Sequence, residues 1–400
     1  MPATDVAKHG VRSDSIVTMT VLGAWPVCGI LKRMKRILAL CIGLALILPR
    51  PAAALDSAAG AITTTEMARI DGTPWSLGFL PDGGVLITER EGRLWLLRDG
   101  ALRAVAGVPS VVDNGQGGLL DVLVPRDFAQ TRAVYLSYAK AQGGGAGTAL
   151  ARGRLSGDGT RLERVETLFE MRAGTRGGRH FGGRLVEAAD GHIFLTTGDR
   201  GQDAGAQRLD SHQGKVLRLT RDGAPAPGNP FLTTPGALPE IWSYGHRNPQ
   251  GLTFDAQGRL WAHEHGARGG DEVNLIQPGR NYGWPVISYG VQYSGGRIGE
   301  GTAKPGMEQP AHYWDPSIAP SGFTIYRGGL FPAWRGDFLV GSLKFDLISR
   351  LDPAGGRLRE VERIQGAETL RVRDLREAPD GALWMIAEGN GTIWRLTPAK

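Results

Sequence analysis

Leu80-Pro81-Asp82-Gly83-Gly84-Val85-Leu86-Ile87-Thr88-Glu89 is a tight polar turn followed by an apolar run, and Glu91-Gly92-Arg93-Leu94-Trp95-Leu96-Leu97 supplies a second turn and run directly after it. The same phrase returns at Ala189-Asp190-Gly191-His192-Ile193-Phe194-Leu195-Thr196-Thr197 and again from Asp255 to Ala262. It recurs as Ala378-Pro379-Asp380-Gly381-Ala382-Leu383-Trp384-Met385-Ile386-Ala387, closed by Gly391-Thr392-Ile393-Trp394-Arg395-Leu396. Asp-Gly and Gly-Arg pairs between short runs of period two are hairpin signals, because glycine takes the backbone angles that a tight turn demands. The 60 glycines and the scarcity of long stretches with a 3.6-residue period argue against alternating helices and strands. Four-stranded units returning every ~40–50 residues predict an all-β propeller. Residues 55–400 hold about six to eight such units, and spacing alone does not choose among them.

Upstream of the first unit the composition changes. Leu31-Lys32-Arg33-Met34-Lys35-Arg36 is basic, Ile37 to Leu48 is apolar, and Pro51-Ala52-Ala53-Ala54 offers an A-x-A cleavage site. This is the three-part pattern of a secretory signal peptide, and its apolar run is shorter than the ~20 residues a membrane span requires. Residues 1–54 therefore read as a leader, with Met34 as an alternative start and cleavage expected after Ala54. Residues 55–400 read as one periplasmic or secreted propeller domain without a membrane span. A lipid anchor on Cys41 fits poorly, because bulky Leu40 precedes it where a small residue is expected.

The leader also holds Lys8, Arg12, Lys32, Arg33, Lys35, Arg36 and Arg50 against only Asp5 and Asp14, which is most of the chain's formal charge of +6. The remainder is almost neutral, so no nucleic-acid partner is expected. Both cysteines, Cys28 and Cys41, lie in the leader as well, which leaves no thiol or disulfide chemistry downstream.

Three other motifs carry little. Gly143-Gly144-Gly145-Ala146-Gly147 does not complete a phosphate-binding pattern and reads as a flexible loop. His263-Glu264-His265 sets two imidazoles on one strand face, without a third zinc ligand at a helpful spacing. No G-x-S-x-G elbow marks a serine hydrolase.

What remains is a series of polar, glycine-bearing segments at expected strand ends. They are Asn114 to Asp121, Arg179-His180-Phe181-Gly182-Gly183-Arg184-Leu185, and Tyr244-Gly245-His246-Arg247-Asn248-Pro249-Gln250-Gly251-Leu252. His265 to Leu275, Asn281-Tyr282-Gly283-Trp284-Pro285, Gly341-Ser342-Leu343-Lys344 and Leu370-Arg371-Val372-Arg373-Asp374 follow. Glycine lets a backbone approach a ligand closely, Arg and Lys bind carboxylates, and a propeller gathers such loops around its central channel. Val372 between two arginines is expected to place both side chains on one face of a strand.

In order and in detail, these segments resemble the soluble aldose and glucose dehydrogenases that use pyrroloquinoline quinone (PQQ), from about Trp75 to Leu396. The resemblance implies a six-bladed propeller that oxidises aldoses at C1 to the lactone. It implies His180 as the base that takes the sugar hydroxyl proton while hydride passes to C5 of PQQ. Arg247 and Asn248 match residues that contact the quinone oxygens, with Arg247 stabilising charge, and Gln116 matches a further cofactor contact. Lys344, Arg371 and Arg373 match the cations that hold the PQQ carboxylates.

The same resemblance implies calcium. The carbonyls of Gly266 and Ala267 match the ligands of a cation that bridges protein and PQQ, and Glu272 with the Tyr282 carbonyl matches a second, structural site. Two departures bear on the substrate. Ala267 stands where glucose-specialised relatives have proline, and Arg179 stands where they have aspartate, so the pattern is nearer to broad-range aldose dehydrogenases. Tyr313 and Trp314 are open to two readings, as a wall for a sugar ring or as blade packing. The alternatives are a calcium-dependent propeller lactonase and a non-catalytic sugar-binding propeller. The sequence names no electron acceptor and does not choose between monomer and homodimer.

Overall fold

The computed structural model describes residues 54–399; the leader, with its basic and apolar segments, lies outside the described residues. Those residues build a six-bladed β-propeller of antiparallel four-stranded sheets. Each blade begins with its innermost strand: Pro74–Phe79, Leu119–Leu123, Gly182–Glu187, Pro249–Phe254, Pro320–Ile325 and Val372–Glu377. Neighbouring inner strands pack side by side, and the last returns to the first, so the ring is closed. The sixth blade takes its outer strand, Ile62–Arg69, from the start of the domain and pairs it with Thr392–Pro398. Leu55 pairs with Ile62 at the rim of the same sheet, and both are buried.

The quoted phrase is the first hairpin of blades one, three, four and six. In each, the aspartate accepts a backbone N–H inside its own turn: Asp82 from Gly84, Asp190 from His192, Asp255 from Gln257 and Asp380 from Ala382. Blades two and five replace that turn with excursions holding a short helix, Phe128–Thr131, and a 3-10 turn, Pro332–Trp334. This is why spacing did not yield the blade count. The glycine run at 143–147 is not a flexible loop. Strands Ala133–Gln142 and Gly145–Leu155 pair up to Gln142 and Gly145, so Gly143-Gly144 is a two-residue turn and the rest is strand.

The core is a set of wedges between blades rather than one central mass. Leu86 and Leu94 of blade one pack with Val134 and Leu136 of blade two, and Tyr135 and Leu150 pack with Leu195 and Leu217 of blade three. Each such side chain contributes about 1.5–3 kcal/mol on burial. The axis itself is polar. Arg184 Nη1 lies 3.0 Å from Asp374 and 3.4 Å from Asp121, and Arg376 lies 2.7 Å from Asp121 and 3.0 Å from Asp374. These four side chains come from the inner strands of blades two, three and six, and they tie the blades across the axis. No helix among the described residues is long and apolar enough to cross a membrane.

Candidate active site

His180 stands just ahead of the third inner strand, in the left-handed region at φ 55. Its N–H donates to Gln116 Oε1 at 2.6 Å, and the neighbouring Gly182 N–H donates to Asn248 Oδ1 at 3.1 Å. The ring is buried and its Nδ1 lies 2.6 Å from Asp199 Oδ1. Asp199 is held in turn by Trp284 Nε1–H at 2.8 Å and by the Gly201 N–H at 2.6 Å. A Cβ at Gly198 would fall 2.1 Å from the His180 carbonyl oxygen, so only glycine allows this approach of the two loops.

Electrostatics complete the dyad. Burial lowers the His180 pKa below the ordinary 6.5, Arg247 adds to that, and the Asp199 carboxylate opposes it. Burial pushes Asp199 up, but His180, the Gly201 N–H and Arg247 outweigh it and hold the carboxyl below its usual range. The result is an anionic aspartate facing a neutral imidazole. A carboxylate on Nδ1 assigns the proton to that nitrogen and leaves the Nε2 lone pair free to act as a base.

Beside this dyad is a cavity of about 520 Å³ on the propeller axis, lined by Gln116, Asn248, Lys344, Arg371 and Arg373 among others. Five residues from four distant segments thus meet in one place. Arg90, unassigned from the sequence, adds a fourth cation, and Glu388 is the single carboxylate of the lining. His180 and Arg247 are not among its lining residues, but their chain neighbours Phe181 and Asn248 are. A cavity of about 680 Å³ at Trp261, Tyr326 and Phe338 lies by the opposite turns, away from the dyad, and has none of these residues.

Arg247 faces a small crevice with Gly266, Glu272 and Tyr282, which His265 shares with the axial cavity. Its guanidinium donates to the Gly266 carbonyl, and its backbone N–H donates to Glu264 Oε2 at 2.5 Å. Ala267 is buried and packs with Ala206, Trp284 and Ile298. Burial, then the nearby Glu264 carboxylate, pushes Glu272 up to about 8. Asn274 donates to Glu272 at 3.1 Å while its own Oδ1 is buried without a partner. Glu264 and Glu272 thus face each other across paired strands beside an orphaned amide oxygen. Both Glu264 oxygens already have partners in His246 Nδ1 and the Arg247 N–H, and the Gly266 carbonyl has one in the Arg247 guanidinium.

Other readings are revised. Arg371 and Arg373 do reach one place, but not by strand alternation. Arg371 lies outside the strand at φ 49, and the pairing shifts register between Val372 and Asp374. Trp314 is buried blade packing, whereas Tyr313 is exposed and stacks on Tyr289 with centroids 4.0 Å apart. His263 is fully buried against Phe323, and His265 Nε2 meets the Pro320 carbonyl at 2.6 Å. Asp199, Glu264 and Glu388 were missed. Asp199 follows a strand in Thr197-Gly198-Asp199, the same strand-end position that singled out the other segments, and that signal could have found it.

Fold and site together define a propeller enzyme of the sugar-oxidising class. The chain belongs to the glucose/sorbosone dehydrogenase family, whose sequence model matches residues 71–395, and it is an oxidoreductase. It is 43% identical over 333 residues to the aldose sugar dehydrogenase YliI of Escherichia coli K12, covering 81% of this chain and 90% of that one. The structure of the soluble aldose sugar dehydrogenase from Escherichia coli in its apo form is similar, with a TM-score of 0.82, 41% identity and coverage of 84% and 100%. The PQQ-bound aldose sugar dehydrogenase of Streptomyces coelicolor matches with a TM-score of 0.69 and 29% identity, over 84% and 98% of the two chains.

Proposed function

We propose that this protein oxidises aldoses at C1 to the lactone, with PQQ as cofactor, calcium as bound cation and His180 as general base. The observation that carries the reading is the meeting of Gln116, Asn248, Lys344, Arg371 and Arg373 in one axial cavity beside the His180–Asp199 dyad. A cavity with four cations and one carboxylate fits a tricarboxylate ligand. For calcium, the carbonyls of Gly266 and Ala267 would hold one ion and Glu272 with the Tyr282 carbonyl a second, with Glu264 and the orphaned Asn274 Oδ1 as further oxygen donors beside it. When bound, PQQ supplies a quinone carbonyl that accepts hydride, and calcium supplies Lewis acidity.

The chain's own residues do the rest. Asp199 fixes the His180 tautomer, and Nε2 takes the proton of the C1 hydroxyl. Arg247, held by Glu264 through its backbone, places positive charge next to Asn248 where negative charge develops. Lys344, Arg371 and Arg373 anchor carboxylates, and the buried walls keep water from the base. The cavity's carboxylate is neutralised by arginines, which does not favour the carboxylate-held metal of a lactonase in the channel. The leader pattern supports export, with the working chain beginning after Ala54 and passing electrons to an acceptor outside the cytoplasm.

His180→Gln is the direct test. We expect PQQ binding to persist and turnover to fall by about 10²–10⁴, the usual contribution of a positioned base. Full turnover in that variant would remove His180 from the role.

A further inference from the structure

We propose that Glu388 is a positioning residue that presents Arg371 and Arg373 to a polycarboxylate ligand before it arrives; the proposal rests on the cofactor reading above. Glu388 opens the turn Glu388–Asn390 at the end of the sixth blade's second strand. Its Oε1 accepts Arg371 Nε at 3.3 Å and Nη2 at 3.1 Å, and its Oε2 accepts Arg373 Nε. One carboxylate thus bridges two guanidiniums, and both arginines hold it below the usual carboxylate range against the effect of burial.

The backbone braces the same contact. Glu388 N–H donates to the Arg371 carbonyl at 3.0 Å and Gly389 N–H to the Leu370 carbonyl at 3.1 Å. Arg371 N–H donates to Asp346 Oδ1 at 2.8 Å, which helps fix its left-handed conformation. Without Glu388 two like charges would face each other across the cavity mouth, and both long side chains would regain rotamer freedom.

A guanidinium has five N–H donors, so a carboxylate that holds it by one edge leaves the rest for a ligand. Here Arg373 Nη2 and the Lys344 ammonium make no hydrogen bond among the described residues, although both residues line the cavity. On Arg373, Glu388 therefore engages the Nε edge and leaves Nη2 for an incoming anion. Arg371 is held in place by Glu388 through Nε and Nη2 and by the Leu343 carbonyl through Nη1 at 3.1 Å, each nitrogen of its outer edge keeping a second N–H. Removing its charge raises the local positive potential. The accompanying loss of order in two guanidiniums outweighs that, because the potential is screened at an open cavity.

The test measures PQQ binding to calcium-loaded apo-protein by quenching of tryptophan fluorescence, with Trp75 in the cavity wall as one reporter. Glu388→Gln, which turns an NH2 donor toward one guanidinium, is expected to weaken binding at least tenfold. Glu388→Asp, with its shorter carboxylate, is expected to lose less, and it serves if the glutamine variant misfolds. In an Arg371→Ala/Arg373→Ala background the effect of Glu388→Gln is expected to vanish. Equal or tighter binding by Glu388→Gln, or an undiminished loss in the double-alanine background, overturns the proposal. Wild-type protein that takes up no PQQ overturns the cofactor reading itself, and this proposal with it.

Discussion

His180 is useful as a base because its surroundings keep it neutral and pointed. Burial lowers its pKa below 6.5, so protonation and loss of activity are expected only below that pH. Asp199 works against burial by stabilising the imidazolium, and it also fixes the tautomer. Asp199→Asn removes the opposing charge, so the acid limb of the pH–rate profile should move further down while kcat falls by about 10²-fold or more. An unchanged profile would show that Asp199 only packs against the ring. The difference in legibility between these two residues is physical. His180 sits in a distinctive run, His-Phe-Gly-Gly-Arg-Leu, whereas Asp199 reads as any acidic residue in a turn. Glu388 is hidden for a similar reason, since its partners lie 15 and 17 residues upstream and the fold alone brings them to it.

At the scale of elements, loops around the site are held by buried polar anchors rather than by their own propensity. Lys215, in the strand Lys215–Leu219, is buried and donates to the carbonyls of Gly205 at 2.9 Å, Ala206 at 3.0 Å and Gln213. Burial lowers its pKa to about 7. The loop it holds begins beside Asp199. Lys215→Met would remove three charge-assisted hydrogen bonds and strand the Gln213 carbonyl, while Gly205 and Ala206 keep the N–H groups of Arg208 and Gly245. A loss of about 2–4 kcal/mol is expected by chemical denaturation. A stability change within 0.5 kcal/mol, as on an ordinary surface, would contradict this role. Hairpins with Asp-Gly turns were legible because turn chemistry is local. The excursions of blades two and five were not, since Phe128 and Trp334 are placed by packing that no short window records. The arginine pair at 371 and 373 reached the expected cavity through a left-handed residue and a register shift, which alternation along a strand does not contain.

For the whole molecule, the ring depends on closure at its rim and on the charge network at its axis. Arg184 lies between Asp121 and Asp374, both fully buried, so Arg184→Met leaves the two carboxylates, beyond their neutral donors, with Arg376 as the paired cation. Destabilisation of about 3–5 kcal/mol is expected from the urea midpoint, far more than the lost side-chain packing. A variant as stable as wild type would mean that the network is dispensable. This closed frame is what brings residues more than 250 positions apart, Gln116 and Arg373, to one cavity. Reconstitution of the purified apo-protein tests that convergence most directly: PQQ, calcium, a panel of aldoses and an electron-accepting dye. Dye reduction that requires both PQQ and calcium, and disappears in His180→Gln, is expected; protein that binds no PQQ, or reduces dye equally well without it, would contradict the account.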